Sequence, residues 1–160
     1  MIEECFESRS TAIRKRKMQQ CILYHTEILE YAARLRGCFY NDMFAHLTMT
    51  AAICGCLEKT LVDGESQVCT AIHVFGWILS LFMACYGGQH LISASELFST
   101  KVWNSLWYQA EPSLQKDVIF MLFRSQKTLS VTAGPFDVVS YSLFVSVMKM
   151  SYTIMCYLTK

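Results

Sequence analysis

The chain has 160 residues, of which 53% are hydrophobic and only 17% are charged. Soluble globular domains carry about 25% charged residues, so this composition argues against an ordinary soluble domain. The formal net charge of +1 excludes the strongly basic field that a nucleic-acid-binding chain needs. With only two prolines and seven glycines, a disordered or collagen-like chain is excluded as well. The composition is that of a membrane protein.

Three stretches of the chain predict membrane-spanning helices, because each has few or no charged residues and a span needs about 20 apolar ones. The first is 43–62, which alone could also be a buried helix of a soluble protein. The second, 68–92, lies within a run from Ser66 to Ser95 that contains no Asp, Glu, Lys or Arg. The third, within 132–160, carries Lys149 in its middle, so we expect it to face a protein interior or a water-filled path.

The distribution of Lys and Arg predicts the orientation of these spans. Residues 14–17 are all Arg or Lys, and the long segment 93–131 carries four more basic residues. The short segment 63–67 is acidic. Because cytoplasmic loops are enriched in Lys and Arg, we expect 1–42 and 93–131 in the cytoplasm and the C-terminus outside the cell.

Two amphipathic helices are predicted on the cytoplasmic side. One covers 21–36 and continues into the first span. The other starts at Pro112, a residue favoured in the first helical turn. Its apolar face packs against partner helices in our interpretation, since that face has too few basic residues for a membrane surface. The residues of that face recur at helical spacing: Leu114, Val118, Met121 and Leu122.

The predicted fold class is therefore all-α: an integral membrane helical bundle with three transmembrane helices and cytoplasmic amphipathic helices. The predicted organisation is a cytoplasmic segment (1–42), a transmembrane helix (43–62), an extracellular loop (63–67), a transmembrane helix (68–92), a cytoplasmic link (93–131), and a last transmembrane helix with an extracellular C-terminus (132–160).

The sequence contains no motif that predicts catalysis. Its eight cysteines include no C-x-x-C pair, which argues against a zinc site. His46 and His90 could stand near one another as axial haem ligands, but buried polar residues that line a helix contact are far commoner. No nucleophile elbow, phosphate-binding glycine loop or H-E-x-x-H motif is present. We expect no enzyme activity, no metal and no cofactor.

The C-terminal third carries a recognisable series of motifs. The pattern R-x-Q-K is followed by T-A-G-x-F, S-x-x-x-F and K-x-S-Y-T, and an earlier block reads C-Y-G, L, S-x-L and W. The series resembles the C-terminal signature of the insect odorant receptor family, in the same order and spacing over roughly residues 20–160. Its residues here include Arg124, Gln126, Lys127, Thr132, Gly134, Phe136, Ser140, Phe144, Lys149, Ser151 and Tyr152, and, in the earlier block, Cys85, Leu91, Ser95 and Trp107.

The resemblance implies a seven-span receptor, unrelated to G-protein-coupled receptors, with an internal N-terminus and an external C-terminus. Such receptors form tetrameric, non-selective cation channels in which an odour-tuned subunit assembles with a shared co-receptor. The partners it implies are that co-receptor, volatile small-molecule odorants and membrane lipid, with no nucleic acid. It places the protein in the plasma membrane of olfactory sensory neurons as a multi-pass protein, and matches the three predicted spans to spans five, six and seven.

The resemblance also implies roles for individual residues. Met155, Leu158 and Thr159 fall at pore and gate positions of the last helix, and they share a helical face. By depth, His73, Gly76 and Trp77 are the candidates for the odorant pocket. A cytoplasmic anchor that assembles the subunits would use Leu114, Val118, Met121, Leu122, Arg124, Gln126 and Lys127. Pro135 after Gly134 and Tyr141 depart from the family pattern at the entry to the last helix.

Seven spans with their loops need far more than 160 residues, so the resemblance implies that this chain is a fragment or a short isoform of a receptor. Two interpretations remain open. In one, the chain is part of an odour-gated channel subunit. In the other, it is a non-conducting three-span protein that assembles with full-length subunits and modulates them.

Overall fold

The computed structural model of the chain describes residues 11–64, 67–135 and 137–159. The first ten residues of the predicted cytoplasmic segment, residues 65 and 66 of the predicted extracellular loop, Phe136 and the C-terminal Lys160 lie outside the described residues. Within the described ranges the helices are α1 (Thr11–Val62), α2 (Gln67–Trp103), a single 3-10 turn (Trp107–Gln109), α3 (Pro112–Ser125) and α4 (Tyr141–Leu158).

The prediction of an all-α membrane bundle is confirmed. The described part of the chain contains no β-strand, and its β-type pairing is one isolated bridge between Thr132 and Val138. One helical segment there, Gln67–Gln109, is long and apolar enough to cross a membrane. It contains the second predicted span, whereas the first and third spans and the orientation stay predictions.

The chain divides into two compact units, each with a core of its own. The first unit comprises residues up to Arg34 together with Leu91–Leu129. Helix α3 contributes the largest share of its core, because its buried residues recur every three or four positions along one face. The core contains Met18, Cys21, Val102, Ala110, Leu114, Val118, Met121 and Leu122.

The second unit comprises Leu35–His90 and Ser130–Lys160. Three helices each offer a pair of small or apolar side chains spaced by four residues, which places both members of a pair on the same helical face. Ala133 and Val139, from the segment between α3 and α4, complete this core. The helical pairs are Leu47 and Ala51 of α1, Leu81 and Cys85 of α2, and Leu143 and Val147 of α4.

The segment that precedes α4 forms a tight turn. The amide of Val139 donates to the carbonyl of Val131 at 2.8 Å, and the amide of Ala133 donates to the carbonyl of Asp137 at 3.1 Å. These bonds hold the backbone in the bridge between Thr132 and Val138. The helical part of the predicted last span therefore begins at Tyr141 and covers 18 residues, about 27 Å of helix.

Three glycines allow close contacts inside the second unit. A Cβ atom on Gly88 would collide with the carbonyl oxygen of Val139, and one on Gly55 would lie 2.7 Å from Cγ2 of Ile154. Gly134 adopts a φ of 57°, in the left-handed region that favours glycine. Its amide donates to the carbonyl of Tyr40 at 3.0 Å. Small residues at these points let the backbones approach more closely than any side chain would permit.

We expect Gly88→Ala to destabilise the fold and Gly87→Ala to leave it intact. The new methyl group at position 88 meets the Val139 backbone, whereas a Cβ on Gly87 has no atom within 4 Å. Overpacking of this kind costs about 1–3 kcal/mol. The measurement is thermal unfolding in detergent, followed by circular dichroism.

Gly87→Ala is the matched control, because it makes the same chemical change one residue away and even favours the helix by up to about 1 kcal/mol. Equal melting temperatures for the two variants would contradict the close contact at Gly88.

Candidate pore, ligand and assembly surfaces

The residues predicted to line the pore lie at the C-terminal end of α4. Met155 is half-buried, and Leu158 and Thr159 are exposed. The Thr159 hydroxyl and amide both donate to the Met155 carbonyl, at 2.8 and 3.1 Å. The last turn is thereby capped by its own side chain, and the three residues are held on one side of the helix.

Closer to its N-terminus, α4 packs into the second unit. Leu143, Val147 and Ser151 are its buried residues, spaced by four positions along the helix. The Ser151 hydroxyl donates to Oε1 of Glu58 in α1 at 3.1 Å. The other oxygen of this carboxyl, Oε2, is inaccessible to solvent and has no hydrogen-bond partner within the described structure. This cross-helix bond between α1 and α4 was not predicted from the sequence, because residues 58 and 151 are far apart along the chain.

The predicted ligand residues share the N-terminal half of α2 but differ in their surroundings. His73 and Gly76 are exposed, and Nδ1 of His73 lies 2.8 Å from the Cys69 carbonyl of the preceding turn. Trp77 is half-buried, with its ring 6.2 Å from the ring of His46 in α1. The structure therefore brings Trp77 into contact with a second helix and leaves the other two on the outer surface.

Close to Trp77, the polar side chain of His46 links α1 to α2. Its Nε2 lies 3.1 Å from the Ser80 hydroxyl, one turn from Trp77. The sequence favours His46 as a polar residue at a helix contact over a haem ligand, but its pairing with Ser80 depends on how the helices pack. A polar pair beside an indole ring is a suitable wall for a small ligand that carries one hydrogen-bonding group.

The predicted assembly residues separate into two groups. The four apolar ones (Leu114, Val118, Met121, Leu122) are buried in the core of the first unit. The three polar ones (Arg124, Gln126, Lys127) are exposed. The apolar face of α3 is thus covered by α1 and α2 of the same chain.

A second apolar surface on α3 remains uncovered. Ile119, Phe120 and Phe123 are 52%, 69% and 73% exposed. An exposed group of large apolar side chains on one helix is typical of an interaction surface. The sequence contains the signal for it, because Ile119, Phe120 and Phe123 fall on the side of α3 away from its core residues.

His25 of α1 occupies an apolar, positively charged environment in the first unit. Its ring stacks on Phe98 with the ring centres 4.9 Å apart and the planes 12° from parallel. Partial burial, and secondarily the Arg124 guanidinium, lower the pKa of His25 below its ordinary value of 6.5. Lys101, Lys127, Arg124 and Glu30 are the charged side chains that line the same two cavities as His25. The imidazole is therefore neutral at pH 7.

The comparisons with known proteins agree with one another. A protein-family model described as "7tm Odorant receptor" matches residues 1–152. Odorant receptor 24a of Drosophila melanogaster is 25% identical over 118 residues, which is 72% of this chain and 30% of the relative. Odorant receptor 98a of the same organism is 22% identical over 160 residues, 98% of this chain and 40% of the relative.

A relative from a second organism has a similar identity and coverage. Odorant receptor Or1 of Anopheles gambiae is 23% identical over 144 residues, which is 86% of this chain and 34% of the relative. The chain thus spans about a third of the length of the curated relatives it matches.

We expect the stability of the fold to decrease as the pH falls below 6.5, and His25→Phe to reduce that decrease. Because the folded state lowers the pKa of His25, the unfolded chain binds more protons between the folded pKa and 6.5. Stability is therefore fully present above 6.5 and is lost as the pH falls through that window. Phenylalanine keeps the stacking on Phe98 but cannot titrate.

The measurement is the difference in melting temperature between pH 7.5 and pH 5.5 for each variant. His90→Phe is the control, because His90 is an exposed histidine of the second unit and its loss should leave the pH effect of His25 in place. An unchanged pH effect in His25→Phe would contradict the assignment.

Proposed function

Because this chain belongs to the 7tm odorant receptor family, we propose that it forms part of the odour-binding subunit of a ligand-gated, non-selective cation channel. The channel works with a shared co-receptor in the plasma membrane of olfactory sensory neurons, and the C-terminus of the chain is extracellular. The observation that carries this proposal is the packing of α4, which buries Leu143, Val147 and Ser151 in the protein while Leu158 and Thr159 at its C-terminal end stay exposed and available to line a pore.

The arrangement of α4 supports a pore-lining role in three ways. Its inner side is anchored by apolar packing and by the bond from Ser151 to Glu58. Its outer end carries Met155, Leu158 and Thr159 on one side of the helix, and only Met155 is partly buried. A ring of flexible Met side chains from several subunits would form an apolar constriction that opens by a small displacement.

The wall formed by Trp77, His46 and Ser80 supports odorant binding. Volatile odorants are small and largely apolar, so an aromatic wall with one polar pair suits them. His73 and Gly76 lie on the exposed side of the same helix, where another helix of the intact receptor would complete the pocket. We infer that the chain is one portion of a longer receptor.

A second candidate function is favoured by the exposed apolar surface of α3. In this alternative the chain itself is a non-conducting three-span protein that assembles with full-length subunits and reduces their response. The two hydrophobic cores of the chain are formed by its own residues, and Ile119, Phe120 and Phe123 stay exposed for contact with a partner.

Current recordings from cultured cells separate these two functions. A longer form that carries these 160 residues is expressed with the co-receptor, and a panel of volatile odorants is applied. We expect a cation current that requires both proteins and the odorant. Surface expression of both proteins without any current would overturn the channel proposal, and a reduced response of another receptor pair in the presence of the 160-residue chain would establish the alternative.

For the gate, we expect Met155→Ala in the longer form to raise the current without odorant at least twofold. A smaller side chain widens an apolar constriction and makes it easier to hydrate. Tyr157→Ala is the control, because Tyr157 lies on the other side of the same helical turn and is 81% exposed. Equal resting currents for wild type and Met155→Ala, at equal surface expression, would remove Met155 from the gate.

For assembly, we expect Phe120→Ser combined with Phe123→Ser to reduce co-purification with the co-receptor severalfold while the melting temperature stays within a few degrees. Both rings are already exposed, so the fold loses little when they are removed. Val118→Ser is the contrasting variant, because Val118 is fully buried and its loss should cost about 1–3 kcal/mol of stability. Undiminished co-purification of the double variant would show that this surface is not the interface.

A further inference from the structure

The first unit contains a cavity that the proposed function leaves unused. It lies between the N-terminal part of α1, the C-terminal part of α2 and the residues that follow α3, and its volume is about 420 Å³. Ligand sites in proteins measure roughly 300–1,000 Å³, so this cavity is large enough for a small ligand or for part of a larger one.

The charged side chains that line the cavity are all basic. Lys101 and Lys127 line it from α2 and from the residues after α3, and no Asp or Glu is among the lining residues. Neither ammonium group is paired with a carboxylate in the part of the chain that the structure describes. Since His25 is neutral at pH 7, these two lysines supply the positive charge, which selects an anion.

Hydroxyl groups lie beside the lysines. The Ser95 hydroxyl accepts a bond from the Leu129 amide at 3.1 Å, which leaves its own hydrogen available to donate. Ser125 also lines the cavity, and its hydroxyl is 3.2 Å from that of Ser99. The polar end of the cavity therefore combines two ammonium groups with a hydroxyl donor, a set that suits a phosphate group.

The remaining walls are apolar. They come from Ile28 and Leu29 of α1, from Leu91 and Phe98 of α2, and from Leu129. Free inorganic phosphate would gain no free energy from such an apolar surface, whereas an acyl chain or the glycerol end of a lipid would bury it. The combination of a basic end and apolar walls fits an anionic amphiphile.

The position of the cavity along α2 indicates where such a ligand would come from. Leu91 and Lys101 belong to the same helix as the predicted span 68–92, at and just beyond its cytoplasmic end in the proposed orientation. Basic pockets at this level are suited to the headgroups of inner-leaflet lipids.

We propose that this cavity binds an anionic phospholipid of the inner leaflet, with its phosphorylated headgroup on Lys101 and Lys127 and an acyl chain against Ile28, Leu91 and Phe98. The proposal rests on the proposed function only for the orientation that places the cavity at the inner leaflet. The lipid would tie α1, α2 and the residues after α3 together within this unit.

The test uses the 160-residue chain in nanodiscs of phosphatidylcholine that contain a fluorescent phosphatidylinositol 4,5-bisphosphate at increasing fractions. We expect Lys101→Gln combined with Lys127→Gln to weaken binding about 10- to 30-fold, since each lysine near the surface contributes on the order of 1 kcal/mol. Lys15→Gln combined with Lys116→Gln is the matched control. It removes the same charge from two exposed positions of the same unit that do not line the cavity.

A third variant tests the cavity without changing the charge. Ala94 lines the cavity, so Ala94→Trp would fill part of it and should displace the lipid, while circular dichroism verifies that the helices remain. Competition with soluble inositol trisphosphate distinguishes the two sources of phosphate. We expect it to compete far more weakly than the lipid does.

Three results would overturn the proposal. Equal losses of binding in the two double lysine variants would indicate non-specific attraction to an anionic membrane. Full binding by Ala94→Trp would place the lipid elsewhere, and equal potency of the soluble headgroup would identify a free phosphate site. None of these measurements uses ionic current, so a failure here is distinct from a failure of the channel proposal.

Discussion

The second unit depends on the close approach of backbones at three glycines. Gly88 lies beneath the Val139 carbonyl, Gly55 beneath Ile154, and Gly134 against the Phe44 ring. Within a membrane the lipid is as apolar as the side chains, so helices gain little from burying Leu against Leu and rely on close packing instead. These contacts fix the position of the turn before α4. That turn sets the residue at which α4 begins, and therefore which side of α4 faces the protein.

Buried polar groups in both units are satisfied largely by their own helices. The hydroxyl of Thr50 donates to the His46 carbonyl at 2.7 Å, and that of Ser105 to the Val102 carbonyl at 2.7 Å. Such local bonds let a polar residue occupy an apolar interior without a partner on another helix. Other bonds cross between helices, among them Ser125 to Ser99, Ser151 to Glu58 and His46 to Ser80. The last two lie beside the proposed pore helix and ligand wall.

The two units have different roles in the proposed receptor. In the second unit, α4 and the wall around Trp77 are the proposed pore surface and ligand surface. In the first unit, α3 uses one side for its own core and offers Phe120 and Phe123 on the other. A subunit of an assembly needs both a stable internal core and an uncovered apolar surface, and a single amphipathic helix here supplies them on opposite sides.

The sequence by itself determined the helical class, the apolar span in α2 and the buried face of α3, since these depend on composition and on a period of 3.6 residues. The motif series, with Gly134 and Ser151 in it, identified the family before any helix was placed. Tertiary structure alone decided that Gly88 rather than Gly87 makes the close contact, that Ser151 meets Glu58, and that two lysines join His25 around one cavity. Those features pair residues far apart along the chain, and periodicity describes a helix's face but not the neighbour that covers it.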